Sequence, residues 1–88
     1  MTVEFLKKFE KDLDKLSHKP TVQNVISLIE EIESVKSLSE IGNVKKMKGY
    51  SDAYRIRVGN YRIGIYVEDE TILLARILHR KDIYKYFP

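Results

Sequence analysis

The residues of this chain best suited to chemistry are its arginines, and all five lie in the second half. Four of them alternate with apolar residues. They sit in Tyr54-Arg55-Ile56-Arg57-Val58, in Tyr61-Arg62-Ile63 and in His79-Arg80. Successive residues of a strand point to opposite faces. Arg55 and Arg57 therefore share one face, with Ile56 and Val58 on the other. Like charges so placed repel one another, and an anion relieves the repulsion. Guanidinium suits phosphate, because its planar fork bonds two oxygens at once and it stays charged at any relevant pH. Nearby in sequence stand groups that can move a proton: His79, with an intrinsic pKa of about 6.5, and the late tyrosines Tyr84 and Tyr86. Lys45, Lys46 and Lys48 read as a basic strand edge, with phosphate contact as a second reading.

The bland reading of Arg55 and Arg57 is a solvated face paired with Glu68, Asp69 or Asp82. Exposed ion pairs contribute only about 0–1 kcal/mol, so stability is a weak reason for so many arginines. Arg76 lies inside an apolar run and reads as a structural, salt-bridged or edge residue. Tyr50, Tyr54, Tyr61 and Tyr66 read as packing residues, and His18 as solvated.

Composition sets the frame. Eighty-eight residues with 43% hydrophobic content make one small folded domain. There is no cysteine, which removes disulfides and thiolate metal sites, and two histidines do not suggest a histidine-rich centre. No metal and no cofactor is expected. No apolar run reaches the roughly 18 residues of a membrane span, and the start of the chain lacks an apolar signal core. The expected location is cytoplasmic. Charge is uneven. Residues 1–44 hold six lysines against eight acidic residues, and residues 45–88 hold ten Lys and Arg against five acidic ones. A scaffold half joined to an anion-binding half fits that asymmetry.

The elements that must position these residues follow from periodicity. Thr2 to Leu6 reads as a short strand leading into a helix with Phe5, Leu6, Phe9, Leu13 and Leu16 on one side. The segment Ser17-His18-Lys19-Pro20 breaks it. A second helix starts at Thr21, with Val22, Val25, Ile26, Ile29, Ile32 and Val35 as its apolar stripe. The pair reads as an antiparallel hairpin. Strands then follow at Val44–Lys48, Ala53–Val58, Tyr61–Val67 and Thr71–Leu78. Turn signals separate them at Gly49-Tyr50-Ser51-Asp52, Gly59-Asn60 and Glu68-Asp69-Glu70. Arg80 to Tyr86 forms a turn or short helical tail. The expected class is α+β: an N-terminal helical hairpin packed on a mainly antiparallel sheet of about four strands. Two helices on one face leave the other open for the arginines. Either Ile56, Val58, Ile63 and Ile65 or the opposite parity meets the helices; on the first reading Arg62 and Tyr66 face the same way as Arg55 and Arg57.

In this order and length, the segments Tyr54-Arg55-Ile56-Arg57-Val58-Gly59-Asn60-Tyr61-Arg62-Ile63 and His79-Arg80-Lys81-Asp82-Ile83-Tyr84 resemble the RelE/ParE superfamily of type II toxins. The resemblance spans residues 1–88 as one RelE/ParE-like toxin domain. It implies the toxin of a toxin–antitoxin pair. In the RelE branch it implies a metal-independent mRNA endonuclease that works in the ribosomal A site, where the ribose 2′-OH attacks the adjacent phosphate. The implied partners are a cognate antitoxin in a hetero-oligomer, mRNA and ribosomal RNA. Arg62 and Arg80 match the family's phosphate-contacting arginines, and Tyr84 matches its late base-stacking tyrosine. Arg55 and Arg57 fall where the best-studied branch has lysines. Arginine holds its proton far above neutral pH and is a poor general base. Proton transfer then passes to Tyr84, Tyr86 or His79, which stay open. The alternative is a ParE-like poison of DNA gyrase that cuts no RNA, since one fold supports both.

Overall fold

Local chemistry sets the boundaries of the elements. The computed structural model describes residues 1–88. In chain order these are β1 (Thr2–Phe5), α1 (Lys7–Asp14), α2 (Lys19–Ser34), a 3₁₀ turn (Leu38–Glu40), β2 (Val44–Lys46), β3 (Ala53–Val58), β4 (Tyr61–Glu68), β5 (Thr71–His79) and α3 (Ile83–Tyr86). The first helix stops at Asp14 and the second starts at Lys19 rather than Thr21, so Pro20 is not what ends the first. Pro20 sits in the first turn of α2, where its fixed φ suits a helix start and its missing N–H is not needed. The β3–β4 hairpin closes through Gly59 and Asn60, with Gly59 at φ 59°. That conformation carries no steric penalty for glycine at the first position of a two-residue hairpin loop.

The class is α+β, with one departure from the sequence reading. The sheet has five strands rather than about four, in the order β1-β5-β4-β3-β2. Strands β2 to β5 form the expected antiparallel meander. β1 joins it at the edge, parallel to β5, with Val3 opposite Ile72. The expected pairing of the two helices as a hairpin is not confirmed. Each helix is held by the sheet, α1 against β5 and α2 against β1 and β3, and the two backbones make few contacts with each other. No helix is long and apolar enough to cross a membrane.

The main core lies between the helices and one sheet face. Phe9, Val25 and Ile32 from the helices meet Ile56, Val58, Ile63, Ile65, Ile72, Leu74 and Ile77. Leu74 and Ile77 are three residues apart yet face the same side. A bulge permits this: Gly64 pairs with Arg76 while Ile65 pairs with Leu74, leaving Ala75 as the extra residue. A second, smaller core forms on the other face. There Met47, Ala53 and Ala75 are covered by Ile83 and Phe87 from the C-terminal segment.

One polar contact docks α1. Asp12 is only 8% exposed. Its Oδ2 accepts from Arg76 Nε at 2.7 Å and from the Ile77 backbone N–H at 3.1 Å, and its Oδ1 accepts from Arg76 Nη2 at 3.1 Å. The pairing of β1 with β5 stops at Phe5 and Leu74, so the Ile77 N–H has no strand partner there. The carboxylate supplies one, and Arg76 neutralises it. Asp12→Ala leaves a part-buried guanidinium and a buried N–H unpaired. It is expected to cost about 2–4 kcal/mol of unfolding free energy, read by denaturant titration.

Candidate functional site

Strand register gathers the arginines. Arg57 stands directly opposite Arg62 across β3 and β4, and Lys45 stands opposite Arg55 across β2 and β3. Residues so paired share a face. Ile56, Val58 and Ile63 occupy the helix-side core, so Arg55, Arg57 and Arg62 lie on the opposite face. Arg62 folds back over the hairpin turn, and its Nη1 donates to the carbonyls of Gly59 and Tyr61, each at 2.9 Å. Arg80 reaches the same turn, where its backbone N–H donates to Asn60 O at 2.8 Å. The hairpin turn thus ties the end of β5 to the start of β4.

The cluster is electrostatically costly. Partial burial holds the Arg62 guanidinium below its ordinary pKa, and the charges of Arg55, Arg57 and Arg80 push the same way, with a smaller opposing effect from Tyr84. No carboxylate relieves it. The one side-chain ion pair of the chain is Arg76 with Asp12. Glu68, Asp69 and Asp82 do not pair with Arg55 or Arg57, so the solvated, self-neutralised face read from the sequence is not what forms. Arg76 is the structural arginine, and its contact with Asp12 holds its pKa above the ordinary value.

The late tyrosines part company. The Arg55 guanidinium lies 5.3 Å from the centroid of the Tyr84 ring, which places Tyr84 at the cluster. Tyr86 instead meets Arg76 at 6.0 Å. Both rings are open to solvent, at 63% and 60% exposure. His79 is not brought to the arginines. It pairs across the sheet with Tyr61, whose ring it meets edge-on at 5.8 Å, and Tyr61 packs on the helix-side core. His79 therefore lies in a cleft with His18, Thr21 and Asn60, where its Nδ1 accepts from the Lys81 N–H at 3.2 Å. Lys45 joins the arginine face. Lys46 pairs with Tyr54, which packs on the helix-side core, and Lys48 sits in the turn after β2.

Two residues that bear on the site escaped sequence reasoning. Gly64 and Phe87 dock α3 beside the arginines, with the ring lying against the bare backbone. A glycine inside an otherwise well-formed strand is the available signal, since it often marks close approach of another group.

A small α+β domain with an unneutralised guanidinium face is what the geometry defines. The family model described as the ParE toxin of type II toxin–antitoxin systems, parDE, matches residues 3–84. Toxin RelE3 of Methanocaldococcus jannaschii is 50% identical over the full length of both chains. The toxin in the crystal structure of a RelB–RelE antitoxin–toxin complex from Methanococcus jannaschii superposes with a TM-score of 0.83 at 47% identity, covering 97% of this chain and 99% of that one. The archaeal RelE–RelB complex from Pyrococcus horikoshii OT3 gives 0.73 at 26% identity, covering 90% and 93%. The chain belongs to the RelE/ParE superfamily of type II toxin–antitoxin toxins.

The arginine face opposes stability and should behave so. Arg57→Gln removes the like charge directly across from Arg62. At low ionic strength it is expected to raise unfolding free energy by about 0.2–1 kcal/mol, with the gain fading as salt screens the exposed charges. Denaturant titrations at two salt concentrations read both effects.

Proposed function

We propose that this toxin is an mRNA endonuclease that works in the ribosomal A site of the cytoplasm and inhibits translation. One observation carries the reading: Arg55, Arg57, Arg62, Arg80 and Tyr84 converge on one open face with no carboxylate among them. Such a face suits a phosphate whose charge grows during reaction. In the proposed step the ribose 2′-oxygen attacks the adjacent phosphorus as its proton leaves. The bond from phosphorus to the 5′-oxygen breaks, and that oxygen takes up a proton. The products are a 2′,3′-cyclic phosphate and a 5′-hydroxyl. Fixed guanidinium groups stabilise the extra negative charge of the phosphorane, because they are already aimed at it and need no reorganisation. Arg62 and Arg80 hold the reacting phosphate, with Arg57 beside Arg62. Arg55 and Lys45 bind the flanking backbone, and Lys46 and Lys48 add contacts at the sheet edge to mRNA or ribosomal RNA.

Arginine does not surrender its proton near neutral pH, so the proton relay needs another group. Tyr84 is the candidate at the cluster. His79 faces the other side of the sheet and Tyr86 stands beside Arg76. Tyr84 also presents an open ring on which a base can stack.

A cognate antitoxin completes the proposal. The structural relatives at 47% and 26% identity were solved as complexes of RelE with RelB. An acidic segment of such a partner would neutralise the arginine face and keep mRNA away.

A second reading has one observation in its favour, since the matching family model is the one described as ParE toxin. On that reading the arginine face engages DNA gyrase and no RNA is cut. Expression in a growing host separates the two. The nuclease reading expects truncated mRNA and growth arrest, and Arg80→Ala or Arg57→Ala lowers cleavage by roughly 10²–10³-fold with the thermal transition intact. Gyrase-linked DNA breaks with intact mRNA would overturn it.

A further inference from the structure

The C-terminal helix lies across a row of three sheet residues. Gly64 on β4 is the cross-strand neighbour of Arg55 on β3 and of Arg76 on β5. Above that row stand three aromatic rings from the C-terminal segment. Tyr84 lies over Arg55, Phe87 lies over Gly64, and Tyr86 lies near Arg76. The middle contact is the tight one. A Cβ added to Gly64 would sit 2.5 Å from the Phe87 ring, a distance no side chain tolerates. The ring is 3% exposed, packs on Tyr66 at 5.2 Å between centroids, and rests beside Ala53 and Ala75. Three small residues on three adjacent strands thus make a socket floor for one phenyl ring.

A four-residue helix has no stability of its own, because nucleation costs more than so few hydrogen bonds return. Its position comes from what it buries. Ile83 and Phe87 are buried, and the Phe87 N–H donates to Ile83 O at 2.9 Å. The two exposed tyrosines lie between those anchors. The place of Tyr84 is therefore set by the adjacent Ile83 and by a ring three residues away.

We propose that the Gly64–Phe87 socket is a positioning device for Tyr84. It holds the phenol over Arg55, at the point where the bound nucleotide must meet the guanidinium cluster. The geometry stands by itself, and its catalytic consequence rests on the nuclease reading above. Phe87 is a positioning residue, since it acts on the reaction only through Tyr84.

The test uses the full chain and the variants Phe87→Ala, Gly64→Ala, their double, and Phe87→Leu. Proton NMR reads the geometry through cross-peaks between the Tyr84 ring and the Arg55 side chain. Cleavage of a reporter mRNA on translating ribosomes reads the chemistry. Phe87→Ala and Gly64→Ala are each expected to erase the cross-peaks while keeping one cooperative thermal transition. Each should lower kcat roughly ten- to a hundredfold, as misplacement of a reacting group does, with KM little changed. The double variant should be no worse than either single one, because all three remove the same contact. Phe87→Leu, which keeps an apolar anchor, should restore most of kcat. Cross-peaks that persist in both single variants would overturn the proposal, as would wild-type kcat once they are lost. If the wild-type chain cuts no mRNA, the nuclease reading fails, and the cross-peaks alone decide whether the socket positions Tyr84.

Discussion

The contact of Asp12 with Arg76 and the Ile77 N–H organises the molecule around an edge. β1 covers only part of β5, and the remaining edge needs an acceptor. Asp12 supplies it from α1, so one carboxylate both completes the sheet and docks a helix. The same contact sorts the arginines. Arg76 is taken into the structure and lies beside Tyr86, at one end of the row over which α3 lies. The other four receive no carboxylate. A carboxylate placed among them would quiet their repulsion and also compete with a phosphate for the same donors.

Such a face destabilises the fold that carries it. Like charges directly opposite on a sheet, such as Arg57 and Arg62, each weaken the pairing. The offset comes from the far side of the same strands. Ile56, Val58, Ile63 and Ile65 are nearly or wholly buried against the helices, and burial of such side chains is worth about 1.5–3 kcal/mol apiece. Strand alternation makes this division possible: a strand puts its stabilising residues on one face and its repelling ones on the other without lengthening the chain. Backbone carbonyls of the hairpin turn also take two of the Arg62 hydrogen bonds, which orients that guanidinium without neutralising it.

How much of this was legible in the sequence follows from the range of each interaction. The hairpins were legible because a two-residue turn and an alternating pattern are local, and Ala53–Val58 emerges with the expected bounds. The arginine face was legible because parity propagates along a strand once one buried residue is placed. The role of β1 was not, since four residues pairing in parallel with a strand nearly seventy positions later leave no local mark. The pairing of the two helices was not legible for a related reason. An apolar stripe shows that a helix is covered and is silent about what covers it. The side taken by His79 was within reach: it directly precedes Arg80, and adjacent residues at a strand's end tend to face apart. The second core was hidden because the bulge at Ala75 and the fold-back of Phe87 onto Gly64 both depend on tertiary contact.

A site built from arginines divides its labour differently from one that contains lysines. Lysine can lose its proton when it is desolvated or crowded, so it can serve as both a charge and a base. Arginine keeps its charge under the same pressure. The crowding around Arg62 lowers its proton affinity, yet a guanidinium is basic enough to keep its proton near neutral pH. On the nuclease reading proposed above, the guanidinium cluster fixes the electrostatics of bound phosphate and leaves proton movement to a residue outside it. On that reading the residue is Tyr84, on a four-residue helix held by buried Ile83 and by Phe87, whose ring lies over Gly64. The chemistry least served by the sheet thus depends on the element that can least hold itself in place, and packing on the second face has to supply the order that the helix lacks.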